Sequence, residues 1–157
     1  MIRGIHFELP DDICNQALSL IFENIDLSSY KWINYLDQFE CYCCRRNCEI
    51  DIKEFYNGNE LFSIVNDEYI LFMKLQAFVN SGNEINCHTY NQFLKSDCEM
   101  LILIYDVYYV DIYIKSIDIF NKLKSNALKS GFLDIVVITD ENDCRTKLDV
   151  ISGYLDT

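Results

Sequence analysis

The chain has 157 residues, of which 50% are hydrophobic and 14% aromatic, so it can bury a sizeable core and is not a disordered polypeptide. Its formal net charge of −12 disfavours binding to nucleic acid or to an anionic membrane, favours solubility and allows a basic protein partner. The sequence shows no signal-peptide pattern and no apolar window long enough to span a bilayer. We therefore expect one cytoplasmic domain over residues 1–157.

The first half of the chain predicts short strands and helices in alternation. Residues 2–9 alternate as a strand does, with Ile5 and Phe7 facing the core, and Pro10 ends this strand. Residues 12–25 carry apolar side chains at helical spacing, and Asp11 or Asp12 can cap this helix. The other elements predicted before residue 97 are strands at 30–36, 50–55 and 69–79, a short helix capped by Asn59, and a helix at 89–96 capped by Thr89.

The second half predicts a hairpin followed by a crossover. Two apolar runs, 101–105 and 107–114, are separated by Asp106 alone, which is too short a connection for parallel strands and indicates an antiparallel hairpin. A helix then runs from its cap at Ser116 to Gly131 and precedes a strand at 132–138, so the spacing predicts a right-handed parallel βαβ crossover. The inner face of this helix is predicted to carry Ile117, Phe120, Leu123, Ala127 and Leu128.

A last strand at 146–151 is predicted to turn back after the polar loop at 140–143. Together these elements predict a single domain of the α+β (mixed α/β) class. A mixed, largely antiparallel sheet would pack against about four helices, with one βαβ crossover near the C-terminus.

A cluster of cysteines in the 41–48 segment is a candidate zinc site. Cys41 and Cys44 have the C-x-x-C spacing that lets two thiolates bind one zinc ion, and Cys48 would be the third ligand. The fourth ligand would be Cys43, Cys87 or His88. No second C-x-x-C pair is present, and adjacent cysteines rarely point the same way, so we expect unligated thiols and no cofactor, with zinc as the alternative.

The loop from 140 to 145 is a candidate functional loop through Asp140, Asp143 and Arg145. Its carboxylates could bind calcium or magnesium, but the spacing is not that of an EF-hand, and a polar turn selects the same residue types. Asp111 lies in an apolar strand on the face that carries Tyr109 and Tyr113, where a shielded carboxylate needs a partner. We therefore predict an ion pair between Asp111 and Arg145, or one from Arg145 to Asp140 or Asp143.

The sequence gives little support for catalysis. His6 and His88 are its only histidines, and His6, within a strand, is expected to be a hydrogen-bonded structural histidine. Neither a glycine-rich phosphate loop nor a nucleophile elbow is present. Four tyrosines near the hairpin suit an interface, although strand propensity explains them equally well: Tyr105, Tyr108, Tyr109 and Tyr113.

Several short motifs, spread over nearly the whole chain, are similar to those of a family of small bacterial proteins. They are Arg3-Gly4-Ile5-x-Phe7-Glu8-x-Pro10, Ser96-Asp97-Cys98-Glu99, Val110-x-Ile112-Tyr113, Gly131-Phe132 and Ile138-Thr139-Asp140-Glu141-Asn142-Asp143-x-Arg145-Thr146. The chain thereby resembles domain-of-unknown-function family 2691. This resemblance implies no activity, and the cysteine cluster is not part of the shared pattern.

The sequence favours a non-enzymatic protein-interaction module in the cytoplasm. One alternative is an inhibitor or immunity-type protein whose acidic surface binds a basic partner. A second is a small zinc-binding protein that uses Cys41, Cys44 and Cys48, and a third is an enzyme with an unrecognised site.

Overall fold

The computed structural model describes residues 1–42, 52–79 and 82–151. These residues form an eight-stranded sheet and four α-helices, and each hydrogen-bonded pair of neighbouring strands is antiparallel. The strands are β1 (Ile2–Glu8), β2 (Lys31–Asn34), β3 (Glu40–Tyr42), β4 (Phe55–Asn57), β5 (Tyr69–Phe78), β6 (Cys98–Tyr105), β7 (Tyr109–Ile114) and β8 (Leu133–Thr139). The helices are α1 (Ala17–Ile21), α2 (Glu60–Ile64), α3 (Tyr90–Lys95) and α4 (Ile117–Lys129). The predicted α+β class is confirmed.

The N-terminal strand lies between two strands from the other end of the chain. The sheet order is β4-β2-β5-β6-β7-β1-β8, and β3 also pairs with β5. Because β7 and β8 are both antiparallel to β1, they run parallel to each other, and α4 connects them across the inserted strand. The parallel crossover is therefore confirmed in a split form, and its right-handed sense stays a prediction.

The sheet buries both of its faces, but against different partners. Helices α1, α2 and α4 cover the first face, where Ile5, Phe7 and Ile112 belong to the larger core. On the second face, Phe93 of α3 and Leu148 pack against a smaller core. We call residues 143–151 the C-terminal segment, and it crosses this second face without forming a strand.

Most predicted elements are present, and the caps at Thr89 and Ser116 are confirmed in detail, whereas the Asn59 side chain makes no capping hydrogen bond to α2. The Thr89 hydroxyl accepts a hydrogen bond from the Gln92 backbone N–H, and the Ser116 hydroxyl accepts one from that of Ile119, as capping requires. Gly131 adopts the left-handed conformation at the end of α4, with φ of 73°. Residues 50 and 51 of the strand predicted at 50–55 lie outside the described residues, and the strand there begins at Phe55.

Three predictions about element boundaries and faces are wrong. The helix predicted at 12–25 is a short 3-10 turn followed by α1 alone, because the chain turns after Ile21 to place Phe22 against Trp32 in the core. Neither Asp11 nor Asp12 caps it. On α4, Ile117 and Leu128 are 56% and 63% exposed, since the sheet contacts a narrower face of the helix than the apolar pattern covers. The strand predicted at 146–151 is replaced by the C-terminal segment.

Gly4 allows β1 and β7 to approach each other closely. A Cβ atom at this position would lie 1.8 Å from the carbonyl oxygen of Ile112 and 2.8 Å from its carbonyl carbon. Both atoms are backbone in the centre of the sheet, so they cannot move without disturbing the pairing of β7 with β6. A glycine at position 4 is therefore required by packing.

We expect Gly4→Ala to lower the free energy of unfolding by about 3 kcal/mol, because the added methyl overpacks the backbone of a central strand. Urea denaturation would measure the change. The matched control is Gly82→Ala, where an added Cβ has no atom within 4 Å and should change stability little. Equal effects of the two substitutions would contradict the close approach.

Candidate functional site

A cavity of about 660 Å³ lies between the second face of the sheet and the turn and C-terminal segment that follow β8. Strands β1, β6, β7 and β8 form its floor, and residues 142–147 with Asp149 form its wall. The floor residues are His6, Tyr105, Asp111, Tyr113, Val136 and Ile138. Because four strands contribute to the floor, the positions of its side chains are fixed by the register of the sheet.

Asp111 is the centre of the polar network in this cavity. It lies opposite His6 of β1 and opposite Leu103 of β6, and it is only 6% exposed. Its Oδ1 is 2.5 Å from His6 Nδ1, while its Oδ2 accepts hydrogen bonds from Arg145 Nη2 at 2.7 Å and from the Tyr105 hydroxyl at 3.2 Å. These three contacts satisfy a carboxylate that would be costly to bury alone.

The contacts of Asp111 shift its own pKa and those of His6 and Tyr105. Its hydrogen bond raises the pKa of His6 above 6.5 and outweighs the lowering effect of burial. Burial by itself would raise the pKa of Asp111, but the bonds from His6 and Arg145 outweigh burial and hold it below 3.8. Asp111 is therefore ionised at neutral pH, and His6 Nδ1 carries the proton and donates it. Burial, followed by the charge of Asp111, raises the pKa of Tyr105 to about 12.

Arg145 confirms the predicted ion pair with Asp111, although no strand carries it. Besides Asp111, its guanidinium donates through Nη1 to the carbonyl oxygen of Asp149 at 3.2 Å, and it lies 5.1 Å from the centre of the Tyr105 ring. One arginine thus ties the C-terminal segment both to itself and to β7. Because these contacts join the C-terminal segment to the sheet, Arg145 positions the wall of the cavity.

Of the other two predicted loop residues, Asp143 lines the cavity and Asp140 does not. Asp143 accepts hydrogen bonds from Arg3 Nη1, from the Tyr113 hydroxyl and from the backbone N–H of Arg145, each at 3.1 Å. Asp140 accepts from Arg3 Nε at 2.9 Å on the outer side of the turn. Arg3 therefore binds the two carboxylates that were candidates for a cation.

A buried lysine fixes the C-terminal segment at its far end. Lys74 of β5 has no exposed surface, and its ammonium donates to Asp149 Oδ1 at 2.7 Å and to the carbonyl oxygen of Cys87 at 2.6 Å. Burial lowers the pKa of Lys74 more than Asp149 raises it. The side-chain oxygen of Gln38 also accepts from the backbone N–H groups of Val150 and Ile151. The segment is thus held to the sheet by side chains of β5, of β7 and of the turn around Gln38.

The structure describes only part of the predicted zinc site. Cys41 lies in β3, partly buried, whereas Cys43, Cys44 and Cys48 lie outside the described residues. Cys87 is buried, and His88 is hydrogen-bonded to Asp149. The described contacts therefore do not identify either residue as a fourth zinc ligand. Within residues 1–42, 52–79 and 82–151, no three histidine, cysteine or acidic side chains group as metal ligands. None of the helices described there is long and apolar enough to cross a membrane.

The chain was compared with protein families, curated proteins and solved structures. The profile of a family described as "Protein of unknown function (DUF2691)" matches residues 2–149. The chain is 35% identical over 158 residues to the uncharacterized protein YncE of Bacillus subtilis (strain 168), an alignment that covers 96% of this chain and 100% of that relative. No solved structure matches the chain.

A double-mutant cycle tests the energetic link between Asp111 and Arg145. We expect the variants Asp111→Asn and Arg145→Gln to show a coupling energy of about 1–3 kcal/mol in urea denaturation, because the pair is mostly shielded from water. The matched control is the exposed pair of Lys129 and Glu23, 3.7 Å apart, whose coupling should be much smaller. A coupling of zero at Asp111 and Arg145 would show that the two side chains act independently.

The contact between His6 and Asp111 predicts a pH-dependent term in stability. Because the pKa of His6 is raised on folding, its contribution is fully present below pH 6.5 and is lost as the pH rises through the higher folded value. We expect an NMR titration to place the midpoint of His6 above 6.5, and Asp111→Asn to lower it. In urea denaturation across the same range, the difference between the wild type and His6→Gln should shrink as the pH rises. A midpoint unchanged by Asp111→Asn would refute this assignment.

Proposed function

We propose that this chain, which belongs to the DUF2691 family of bacterial proteins of unknown function, is a non-enzymatic interaction module that receives a partner in the cavity beside His6. One observation carries the proposal. The buried carboxylate of Asp111 holds side chains from three different elements, His6, Tyr105 and Arg145, in fixed positions around an open cavity. A preorganised polar group of this kind lowers the entropic cost of binding.

The polar contacts of the cavity support binding rather than covalent catalysis. Catalysis by a nucleophile that a histidine activates needs a hydroxyl or thiol hydrogen-bonded to that histidine. The two tyrosine hydroxyls of the cavity bond carboxylates, and the thiol of Cys144 lies 3.6 Å from the carbonyl oxygen of Asn142. Among the described lining residues, none of these groups is hydrogen-bonded to His6. This arrangement supports contact of the His6–Asp111 pair with a ligand over activation of a nucleophile of the protein.

The neighbouring edge of the sheet supports a polypeptide as the partner. Strand β8 ends the sheet order, and on its outer side it pairs with none of the other described strands. Leu133 and Val136 of this strand are exposed, and Val136 also lines the cavity. An exposed strand edge binds extended segments through its backbone, while adjacent pockets read their side chains. A partner segment along β8 would place one of its groups in the cavity.

The state of the cysteines supports the cytoplasm as the place of action. Cysteines remain thiols in that compartment, and no disulfide joins the described cysteines. The alternative of an acidic inhibitor with a basic partner rests on the net charge alone.

Site-specific cross-linking tests the proposal. A photoreactive amino acid placed at Thr146, an exposed residue of the cavity wall, should capture a partner protein in living bacterial cells. The matched control carries the same group at Ser125, an exposed residue of α4 on the opposite side of the sheet. The further variant Val136→Arg, which places a bulky charge at the mouth of the cavity, should abolish the Thr146 adduct. Adducts that are the same at Thr146 and Ser125, or that survive Val136→Arg, would contradict the cavity as the binding site.

A further inference from the structure

Acidic and basic side chains are present in equal number in the lining of the cavity, although the chain as a whole is strongly acidic. Three carboxylates line it, those of Asp111, Asp143 and Asp149. The basic side chains that line it or bond these carboxylates are Arg3, His6, Lys74, His88, Arg145 and Lys147. Each of the three carboxylates is thus paired with at least one basic side chain, and Arg3 also bonds Asp140 outside the cavity. The strong negative charge of the whole chain is therefore not concentrated at this cavity.

His6 reaches the cavity with hydrogen-bonding capacity left over. Its ring lines the cavity, with 26% of the side chain exposed, and Nδ1 bonds Asp111. Within the part of the chain that the structure describes, Nε2 has no hydrogen-bond partner. A protonated imidazole donates from both nitrogens, so Nε2–H is available to an acceptor in the cavity. Arg145 bonds the other oxygen of the same carboxylate and adds a second positive charge nearby.

We propose that the cavity binds an oxyanion, a carboxylate or phosphate group, which accepts a hydrogen bond from His6 Nε2–H beside the charge of Arg145. The inference rests on the proposed function, since it names the chemical group that the partner would place in the cavity. Charge-assisted hydrogen bonds to oxyanions are among the stronger polar contacts in proteins. The same chemistry is offered by a free small anion and by the carboxylate of a polypeptide.

Several charged and titratable groups face His6 and set the pH dependence of binding. Asp111 on β7 and Asp134 on β8 favour the protonated ring, while Arg145 of the C-terminal segment disfavours it. The ring of Tyr109 on β7 lies roughly parallel to the imidazole at 6.5 Å, and Tyr105 on β6 bonds the same carboxylate. The net effect of these groups is to keep His6 protonated to higher pH than a free histidine. Anion binding should therefore weaken as the pH rises through the titration of His6.

Anion titrations followed by NMR test the proposal on the full chain. Acetate and inorganic phosphate are added at constant ionic strength, with chloride as the reference salt, from about pH 6 to about pH 9. We expect saturable shifts of the His6 ring signals and weaker affinity at the higher pH. His6→Gln should weaken binding at the lower pH by about tenfold, the effect of losing one charge-assisted hydrogen bond, and should remove its pH dependence.

The matched control is Lys129→Gln, which removes an exposed cation of α4, paired with Glu23 on the opposite side of the sheet, and should keep both the affinity and its pH dependence. The wild-type pH profile needs no variant, so the proposal stays testable if His6→Gln destabilises the fold. Peptides with a free or an amidated C-terminus distinguish the two sources: preference for the free form indicates a polypeptide carboxylate, and equal, weak binding of both beside tight phosphate binding indicates a small anion.

Anion binding that is the same in the wild type and in His6→Gln would overturn the proposal, as would the absence of saturable shifts. These results are distinguishable from failure of the proposed function. If the Thr146 cross-link forms while neither anion binds, the cavity receives a partner but not through an oxyanion. If anions bind at His6 and no cross-link forms, the cavity is a small-anion site and not a protein-interaction site.

Discussion

The buried negative charge of Asp111 is the constraint on which the candidate site depends. A carboxylate on a four-strand floor needs compensation from more than one direction when so little of it is exposed to water. His6 supplies it from the neighbouring strand, and Arg145 supplies it from a segment 34 residues further along the chain. The arginine brings the C-terminal segment with it, and that segment is the wall of the cavity. The need to neutralise one side chain therefore creates both the cavity and its polar contents.

A second ion pair extends this principle along the C-terminal segment. Lys74 of β5 pairs with Asp149, which lies four residues after Arg145 in the segment. Leu148, between Arg145 and Asp149 in the chain, is buried in the smaller core. Polar and apolar anchors thus alternate along a stretch with no regular hydrogen-bonding pattern. Such a stretch has no ladder of backbone bonds to fix its path, so side chains must do so. This explains why a segment without secondary structure can form a defined wall.

The sequence predicts the local elements of this fold well where the apolar period is uninterrupted. The hairpin of β6 and β7, the caps at Thr89 and Ser116, and the glycine after α4 each follow from a few adjacent residues. The boundaries fail where tertiary contacts override the pattern. The helix predicted at 12–25 is short because Phe22 packs into the core, and the residues at 146–151 prefer side-chain anchors on the face of the sheet to pairing at its edge.

The candidate site was predictable only in part, and for a definite reason. The pairing of Asp111 with Arg145 follows from one argument, that an aspartate on an aromatic strand face needs a cation. His6 could not be added, because its place beside Asp111 depends on the insertion of β1 between β7 and β8. Residues 6 and 111 become neighbours through the order of strands in the sheet, which alternation along one strand does not encode. A search for polar residues at matching positions of all predicted strands would have offered His6 as one of several candidates.

The insertion of the first strand between two late strands also has a consequence for synthesis. Strand β1 emerges from the ribosome first, yet its two neighbours end at residues 114 and 139. At a synthesis rate of about 5–20 residues per second, roughly 5–30 s pass between the synthesis of β1 and that of both its partner strands, β7 and β8. The contacts that close the sheet span more than 100 residues, so they are formed at a high cost in loop entropy and slowly. During that interval β1 presents two unpaired edges, and repulsion between copies of this acidic chain opposes the pairing of those edges with one another.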